Sequence, residues 1–279
     1  MNGLARSPSL SSPERHGQAD AVICFEDVRL CFGEQCLFDG ISFQVSKGAT
    51  KVLLGEAATG KTTLLKLALG LIRPDAGRIW VCGAEVTRLP EEQLFELRRH
   101  IGMVFQESAL FDSLSVRENV AFRLIEEQRH DDAEIERRVR IALSFVELED
   151  AIDQMPADLS GGMKRRVSIA RALISEPEVM LYDSPTGGLD PITSTTIMEL
   201  IIKLRDVNHV SALLVTHRLQ DAYLMATHVW DPAANQLRPA LPDASHTSFL
   251  LLRQGQVLFD GSGRELMASR DEYVHTYLS

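Results

Sequence analysis

Apolar and polar residues alternate along 21–33, AVICFEDVRLCFG, and again along 37–45, LFDGISFQV. A period of two is that of a half-buried strand, so both stretches predict strands. SKGAT then turns the chain into KVLLG (51–55), a short apolar run read as a buried strand ending in glycine. After Thr62 the period lengthens, and TLLKLALGLI carries apolar residues at helical spacing. RIWVCGAEV reads as a strand followed by a turn at Gly83, and the charged stretch from Pro90 to Arg99 reads as a helix. Two further helices are expected between about 113 and 150, in SVRENVAFRLIEEQRH and DDAEIERRVRIALSFVEL. Asp112 or Ser113 could cap the first, and Asp131 or Asp132 the second. MKRRVSIARALI predicts a helix that Glu176-Pro177 ends. VMLYD (179–183) and SALLVTH (211–217) read as buried strands, separated by the loop SPTGGLDPITS and the helix TTIMELIIKLRDV. Residues 231–248, rich in proline and polar side chains, read as an exposed loop. FLLLRQGQVLFDG reads as a hairpin turning at Gly255, and 263–279 as helical.

Strands alternating with helices point to an α/β core with parallel strands. The 279 residues have room for one large domain or two small ones, and 45% hydrophobic residues can bury a substantial core. Against 39 acidic residues stand 29 basic ones, a net charge of −10, which argues against a nucleic-acid partner while leaving room for a local basic patch. Cys24, Cys31, Cys36 and Cys82 form no CxxC pair and have no histidine at zinc-ligand spacing, so they read as reduced core thiols of a cytosolic protein. No run reaches the roughly 18 apolar residues that cross a bilayer. The first 20 residues lack a signal-peptide core, and their Ser, Pro and charge content predicts a disordered tail. A soluble protein is expected, with any membrane role exercised through a partner.

The strongest chemical signal is Gly55-Glu56-Ala57-Ala58-Thr59-Gly60-Lys61-Thr62. It fits G-x-x-x-x-G-K-[ST], follows a short apolar strand and opens a helix. Glycines let the backbone wrap a phosphate, and the loop N–H groups and the helix N-terminus attract its charge. Lys61 can reach the β- and γ-phosphates, and the Thr62 hydroxyl can ligate Mg²⁺. Thr63 is counted with this loop. The chain is therefore expected to bind a nucleoside triphosphate, ATP first of all, with Mg²⁺. Glu56 sets a carboxylate beside the loop and is expected to point outward into solvent. A Mg²⁺-orienting carboxylate belongs at the end of a neighbouring strand, and Asp183, closing VMLYD, is the candidate.

Leu159-Ser160-Gly161-Gly162-Met163 resembles the LSGGQ signature of ABC-type ATPases, and lies between the phosphate loop and the Asp183 strand as in that family. Gln106 in MVFQESALF matches the family's Q-loop, Gly188-Leu189-Asp190 its D-loop and His217 its H-loop. Phe32 lies where the family often has an aromatic residue stacked on adenine. The resemblance covers roughly residues 21–265. It implies a P-loop NTPase core of the α/β class with an antiparallel β subdomain and an α-helical signature subdomain. The expected layout is a tail over 1–20, an ATPase domain over 21–262 and a C-terminal helical extension over 263–279. Within the ATPase domain, the helical subdomain falls at about 95–176 and a surface insertion at 231–248.

In function, the resemblance implies two such subunits packed head to tail, each ATP lying between one phosphate loop and the partner's Ser160, Gly161 and Gly162. Gln106 would sense Mg²⁺ and the attacking water, His217 would contact the γ-phosphate, and Asp190 would join the composite site. An integral membrane permease would dock near Gln106–Arg117, with Phe111 a contact, unless Phe105, Leu110 and Phe111 merely pack the subdomain. FQESALFDSLSVRENVAF, SGGMKRRVSIARAL and LDPITS look like the ATPases of Mce/Mla-type lipid transporters. That likeness implies a lipid cargo, an Mce-domain lipid-binding partner and a peripheral place on the cytoplasmic face of the inner (plasma) membrane. A soluble ATPase outside transport is the alternative. One position departs from the family: after Asp183 it usually has Glu, which polarises the attacking water, whereas this chain has Ser184. Losing a positioned base costs about 10²–10⁴-fold in rate. Slow hydrolysis, a degenerate half of a heterodimer and an ATP-binding switch all follow from that exchange.

Overall fold

The computed structural model describes residues 20–241 and 245–278; all but the last residue of the tail expected over 1–20 lie outside them. β1 (Ala21–Phe32) and β2 (Gln35–Ser46) form an antiparallel hairpin. β4 (Ala76–Val81) pairs with β1, and the two-residue β5 (Ala84–Glu85) with β4, giving a four-stranded antiparallel sheet in the order β2-β1-β4-β5. The second sheet contains β3 (Thr50–Leu54), β6 (Ile101–Val104), β7 (Val179–Asp183), β8 (Ser211–Val215), β11 (Thr247–Arg253) and β12 (Gln256–Ser262). Its order is β12-β11-β3-β8-β7-β6, with all neighbours parallel except β12. Every residue of β3, β7 and β8 is buried, which is why these strands read as unbroken apolar runs: both of their faces are covered.

α1 (Lys61–Ala68) packs in one core with the antiparallel sheet and one face of the parallel sheet; α2 (Glu91–Leu97) adds Leu94 and Leu97 to it. The opposite face carries α5 (Gly161–Leu173), α6 (Pro191–Asn208) and α7 (Leu219–Thr227), with α3 (Val116–Glu127) and α4 (Asp132–Phe145) stacked against α5. α8 (Gly263–Met267) and α9 (Glu272–Leu278) follow β12. No described helix is long and apolar enough to cross a membrane.

Four features differ from the sequence reading. The helical stretch placed at 95–176 takes in β6, which is the outer strand of the parallel sheet. Ser115, rather than Asp112 or Ser113, caps α3, because Ser115 and Glu118 form a reciprocal capping box; Asp131 caps α4. The stretch read as an exposed loop from 231 contains β10 (Gln236–Pro239), which folds back on β9 (His228–Asp231) in a two-stranded hairpin. Its proline sits at the strand end, where no ladder N–H is missed. Finally, two of the four cysteines are not reduced core thiols. Cys31 and Cys36 face each other across the β1–β2 hairpin and form a disulfide, with Cys36 exposed. Of the remaining thiols, that of Cys82 is pushed up to about 12 by burial.

Candidate nucleotide-binding site

The carboxyl ends of β3, β7 and β8 lie side by side, so Gly55, Asp183 and the residues after Val215 meet on one edge of the sheet. That edge is where open α/β sheets bind ligands. The loop from Gly55 to Gly60 is shaped by its two glycines. Gly55 has φ 143°, and a Cβ there would sit 2.7 Å from the Leu252 carbonyl; Gly60 has φ 91°, and a Cβ would sit 2.6 Å from the Phe38 ring. Both conformations disfavour L side chains, so only glycine fits. Ala57 and Ala58 are exposed between them, Ala58 at φ 63°. α1 opens at Lys61 with Gly60 in the left-handed region and no side-chain cap, which leaves its first N–H groups to an anion. Thr63 is half-buried in that first turn.

The Lys61 ammonium folds over the loop, donating to the carbonyls of Gly55 (2.8 Å) and Glu56 (2.6 Å) and to Thr59 Oγ1 (3.2 Å). Burial pulls its pKa down, and the carboxylates of Asp183 and Glu56 work against that fall. Thr62 Oγ1 donates to Asp183 Oδ1 at 3.0 Å. Burial pushes the Asp183 carboxyl above its ordinary range, and the Thr62 hydroxyl partly offsets this. A hydroxyl and one buried carboxylate, next to a lysine and uncapped helix N–H groups, fit Mg²⁺ that takes its other ligands from phosphate and water. The described residues contain no cluster of three or more His, Cys, Asp or Glu able to hold a metal alone.

Ser184 follows Asp183 at φ 46° and is buried. Its N–H donates to the Val215 carbonyl (2.9 Å), and its own carbonyl accepts from Gly187 (2.9 Å). The Gln106 side chain lies against the same turn, its Cγ 3.5 Å from where a Gly187 Cβ would be. His217, exposed, stands just beyond β8. Three residues the sequence reading passed over tie these pieces together. Buried Arg165, from α5, donates to the carbonyls of Phe105, Gln106 and Gly187, joining the signature helix to the Gln106 loop and the Ser184 turn. Buried Asp221 accepts from Thr186 (2.5 Å) and Thr216 (2.7 Å). Arg218 reaches Ser194 Oγ (2.6 Å) and the carbonyls of Thr186 and Leu189. A carboxylate four residues past His217 was the sequence signal for Asp221; the two arginines carried none.

Ser160 caps α5, accepting from the Met163 N–H at 3.3 Å. Gly161 and Gly162 pack toward Leu189 and Thr193; a Cβ on Gly162 would meet Thr193 Cγ2 at 2.4 Å. The signature is thus built against the Asp190 turn, while the phosphate loop is built against Phe38, Leu252 and Asp183. Asp190 caps α6, accepting from Ile192 and Thr193 N–H (3.0 Å each) and from the Thr193 hydroxyl, which holds its carboxyl below the usual range. Phe32 ends β1 beside the disulfide with 60% of its surface exposed, free to stack on a base. Glu56 is exposed as expected, yet it is bound: its Oε1 accepts from the Tyr273 hydroxyl at 2.8 Å.

A separate apolar groove of about 680 Å³ runs between the Gln106 loop and α3, lined by Phe95, Met103, Phe105, Phe111 and Phe122. Phe111 and Phe122 have ring centroids 4.5 Å apart, and Arg171 lies over Phe111. Leu110 instead packs on the core. The two alternatives for this stretch therefore divide by residue: Leu110 packs the subdomain, while Phe105 and Phe111 face the groove.

A family model described as ABC transporter matches residues 38–187. The chain is 42% identical to the protein TRIGALACTOSYLDIACYLGLYCEROL 3, chloroplastic, of Arabidopsis thaliana, over 99% of this chain and 79% of that one. It is 32% identical to the intermembrane phospholipid transport system ATP-binding protein MlaF of Escherichia coli K12, over 92% of this chain and 88% of that one. Among solved structures it superimposes with a TM-score of 0.72 on a dimeric ATP-binding cassette in a post-hydrolysis state bound to ADP and Pi. That match has 27% identity and covers 86% of this chain and 98% of the other.

Proposed function

We propose that this chain, which belongs to the ABC transporter family, is the ATP-binding subunit that energises a phospholipid transporter of the Mce/Mla type. One observation carries the lipid reading. Similarity runs over nearly the whole chain to one protein named for a glycerolipid and to another named as part of a phospholipid transport system. The subunit works as a peripheral protein on the cytoplasmic face of an inner (plasma) membrane, with a permease and an Mce-domain lipid-binding partner. Affinity purification of the chain from membranes tests this directly. An integral permease together with an Mce-domain protein is the expected result; recovery with ribosomes or nucleic acid and no permease would sink it.

ATP with Mg²⁺ supplies the γ-phosphoryl group whose transfer to water drives the cycle. The chain's own residues bind and orient it. The loop N–H groups from Glu56 to Thr63 and Lys61 take the phosphates, Thr62 and Asp183 hold the metal, and Phe32 stacks on adenine. Gln106 and His217 orient water and the γ-phosphate. Ser160, Gly161 and Gly162, packed against the Asp190 turn, complete the site of a second subunit, with Asp190 holding the turn at that junction. Asp183→Asn separates binding from folding. The raised carboxyl means that ionisation costs folding stability, a cost absent below the unfolded-state pKa and growing as pH rises through the folded one. The variant should therefore melt at a higher temperature than the native chain near neutral pH without nucleotide, an advantage that shrinks in acid. Its Mg²⁺-dependent turnover should fall by about 10²-fold or more. Calorimetry across pH and a phosphate-release assay check the two halves.

The groove at Phe105, Phe111 and Phe122 takes the permease. Phe111→Glu should abolish co-purification of the permease while leaving Mg-ATP affinity of the isolated subunit within about twofold, since a charge in a desolvated apolar contact is costly. Ser184 favours a second feature, slow turnover, because a serine hydroxyl does not take a proton from water at neutral pH.

A further inference from the structure

The last helix of the chain lies on the phosphate loop. Tyr273 and Tyr277 are four residues apart on α9 and so share one face. The Tyr277 hydroxyl accepts from the Gly55 N–H at 3.0 Å and lies 3.3 Å from the Gly55 carbonyl, to which it donates. The Tyr273 hydroxyl donates to Glu56 Oε1 at 2.8 Å. The Arg253 guanidinium stacks on the Tyr273 ring at 4.1 Å, and Asp271 caps the helix start by accepting from the Tyr273 and Val274 N–H groups. Val274, buried between the two tyrosines in sequence, anchors the helix on the core. Glu56 and Tyr273 are also walls of a cleft of about 470 Å³ that passes Ala58 and Thr59 and reaches Cys36, beside the hairpin that carries Phe32.

Glu56 is the one acidic side chain within Gly55–Thr62. It acts electrostatically on Lys61, so a carboxylate free to turn inward would compete with phosphate for that ammonium and repel the phosphate itself. A hydroxyl donor on its outer side holds it away. Burial and the bond to Glu56 keep the Tyr273 phenol above its ordinary range, so it stays a donor at neutral pH. Resting on the reading that this loop binds ATP, we propose that Tyr273 and Tyr277 are positioning residues for ATP: Tyr273 keeps the Glu56 carboxylate turned from the phosphates, and Tyr277 fixes the Gly55 backbone where the loop begins.

The two roles make different predictions, and a double-mutant cycle on the full chain reads them. Mg-ATP binding is measured by titration calorimetry. Tyr273→Phe keeps the ring on Arg253 and removes only the donor, so ATP affinity should fall about three- to tenfold. The loss should be larger at low salt, where an exposed carboxylate is less screened. In a Glu56→Gln background the same change should cost less than about twofold, because no charge remains to be held. Tyr277→Phe should weaken ATP equally in both backgrounds, since its partner is the backbone. An equal loss for Tyr273→Phe in both backgrounds, or no loss in either, overturns the role given to Tyr273. No loss for Tyr277→Phe overturns the role given to Tyr277. Lys61→Ala in the same assay separates this from the site itself: if that variant binds Mg-ATP normally, the site reading fails and the proposal with it. If it loses binding while the cycle is flat, only the tyrosine roles fail.

Discussion

Lys61→Ala should lower ATP turnover by about 10²–10³-fold, the loss usual for one preorganised donor to developing charge. The expectation follows from where the ammonium sits. It bonds into the loop, to the carbonyls of Gly55 and Glu56 and to Thr59 Oγ1. On the proposed reading, a bound phosphate would replace these contacts. Burial lowers the pKa of this ammonium, and the nearby Asp183 and Glu56 carboxylates oppose that fall. Loss of the side chain removes its bonds to the Gly55 and Glu56 carbonyls but leaves the Gly55 N–H on the Tyr277 hydroxyl and the glycine conformations of Gly55 and Gly60. The melting temperature should therefore shift little while ATP binding and phosphate release collapse, a pattern that calorimetry and a steady-state phosphate assay distinguish from unfolding.

Ser184→Glu should raise the turnover of the purified transporter by about tenfold or more, with a small change in KM. Ser184 sits at the end of β7 immediately after Asp183, with its backbone pinned to Val215 and Gly187. A carboxylate there would place near the attacking water a base that a serine hydroxyl cannot supply at neutral pH, and a positioned base is worth about 10²–10⁴-fold. Recovery should be partial, because the turn is built around a short side chain. Ser184 is buried, with its Cβ 3.5 Å from where a Gly187 Cβ would lie. Asp183 cannot take over, since its carboxylate faces Thr62. If the variant hydrolyses ATP no faster than the native chain, serine is not what limits the rate, and Gln106 and His217 already suffice to orient water.

What the sequence made legible was local. The phosphate loop could be read because glycines, lysine and threonine at fixed spacing, between an apolar strand and a helix, satisfy a backbone requirement that few other patterns meet. The parallel strands could be read because burial on both faces forces unbroken apolar runs, as in VMLYD and SALLV. The misses are contacts made by register or at long range. Cys31 and Cys36 meet only because β1 and β2 pair at that step. Arg165 and Arg218 look like ordinary helix and loop arginines until the fold brings carbonyls from distant segments to their guanidinium groups. The hairpin at 228–239 was masked by a proline at its end, and Glu56 looked solvated because its partner is Tyr273, more than 200 residues away.

Lipid transfer by the complete reconstituted transporter tests the central claim most directly. Donor and acceptor vesicles carry a fluorescent phospholipid, and transfer is followed with ATP, with ADP and with the Lys61→Ala subunit. The account predicts phospholipid movement that requires ATP and stops with Lys61→Ala. Transfer that proceeds unchanged without ATP or with Lys61→Ala, or ATP turnover that moves no phospholipid, would contradict it.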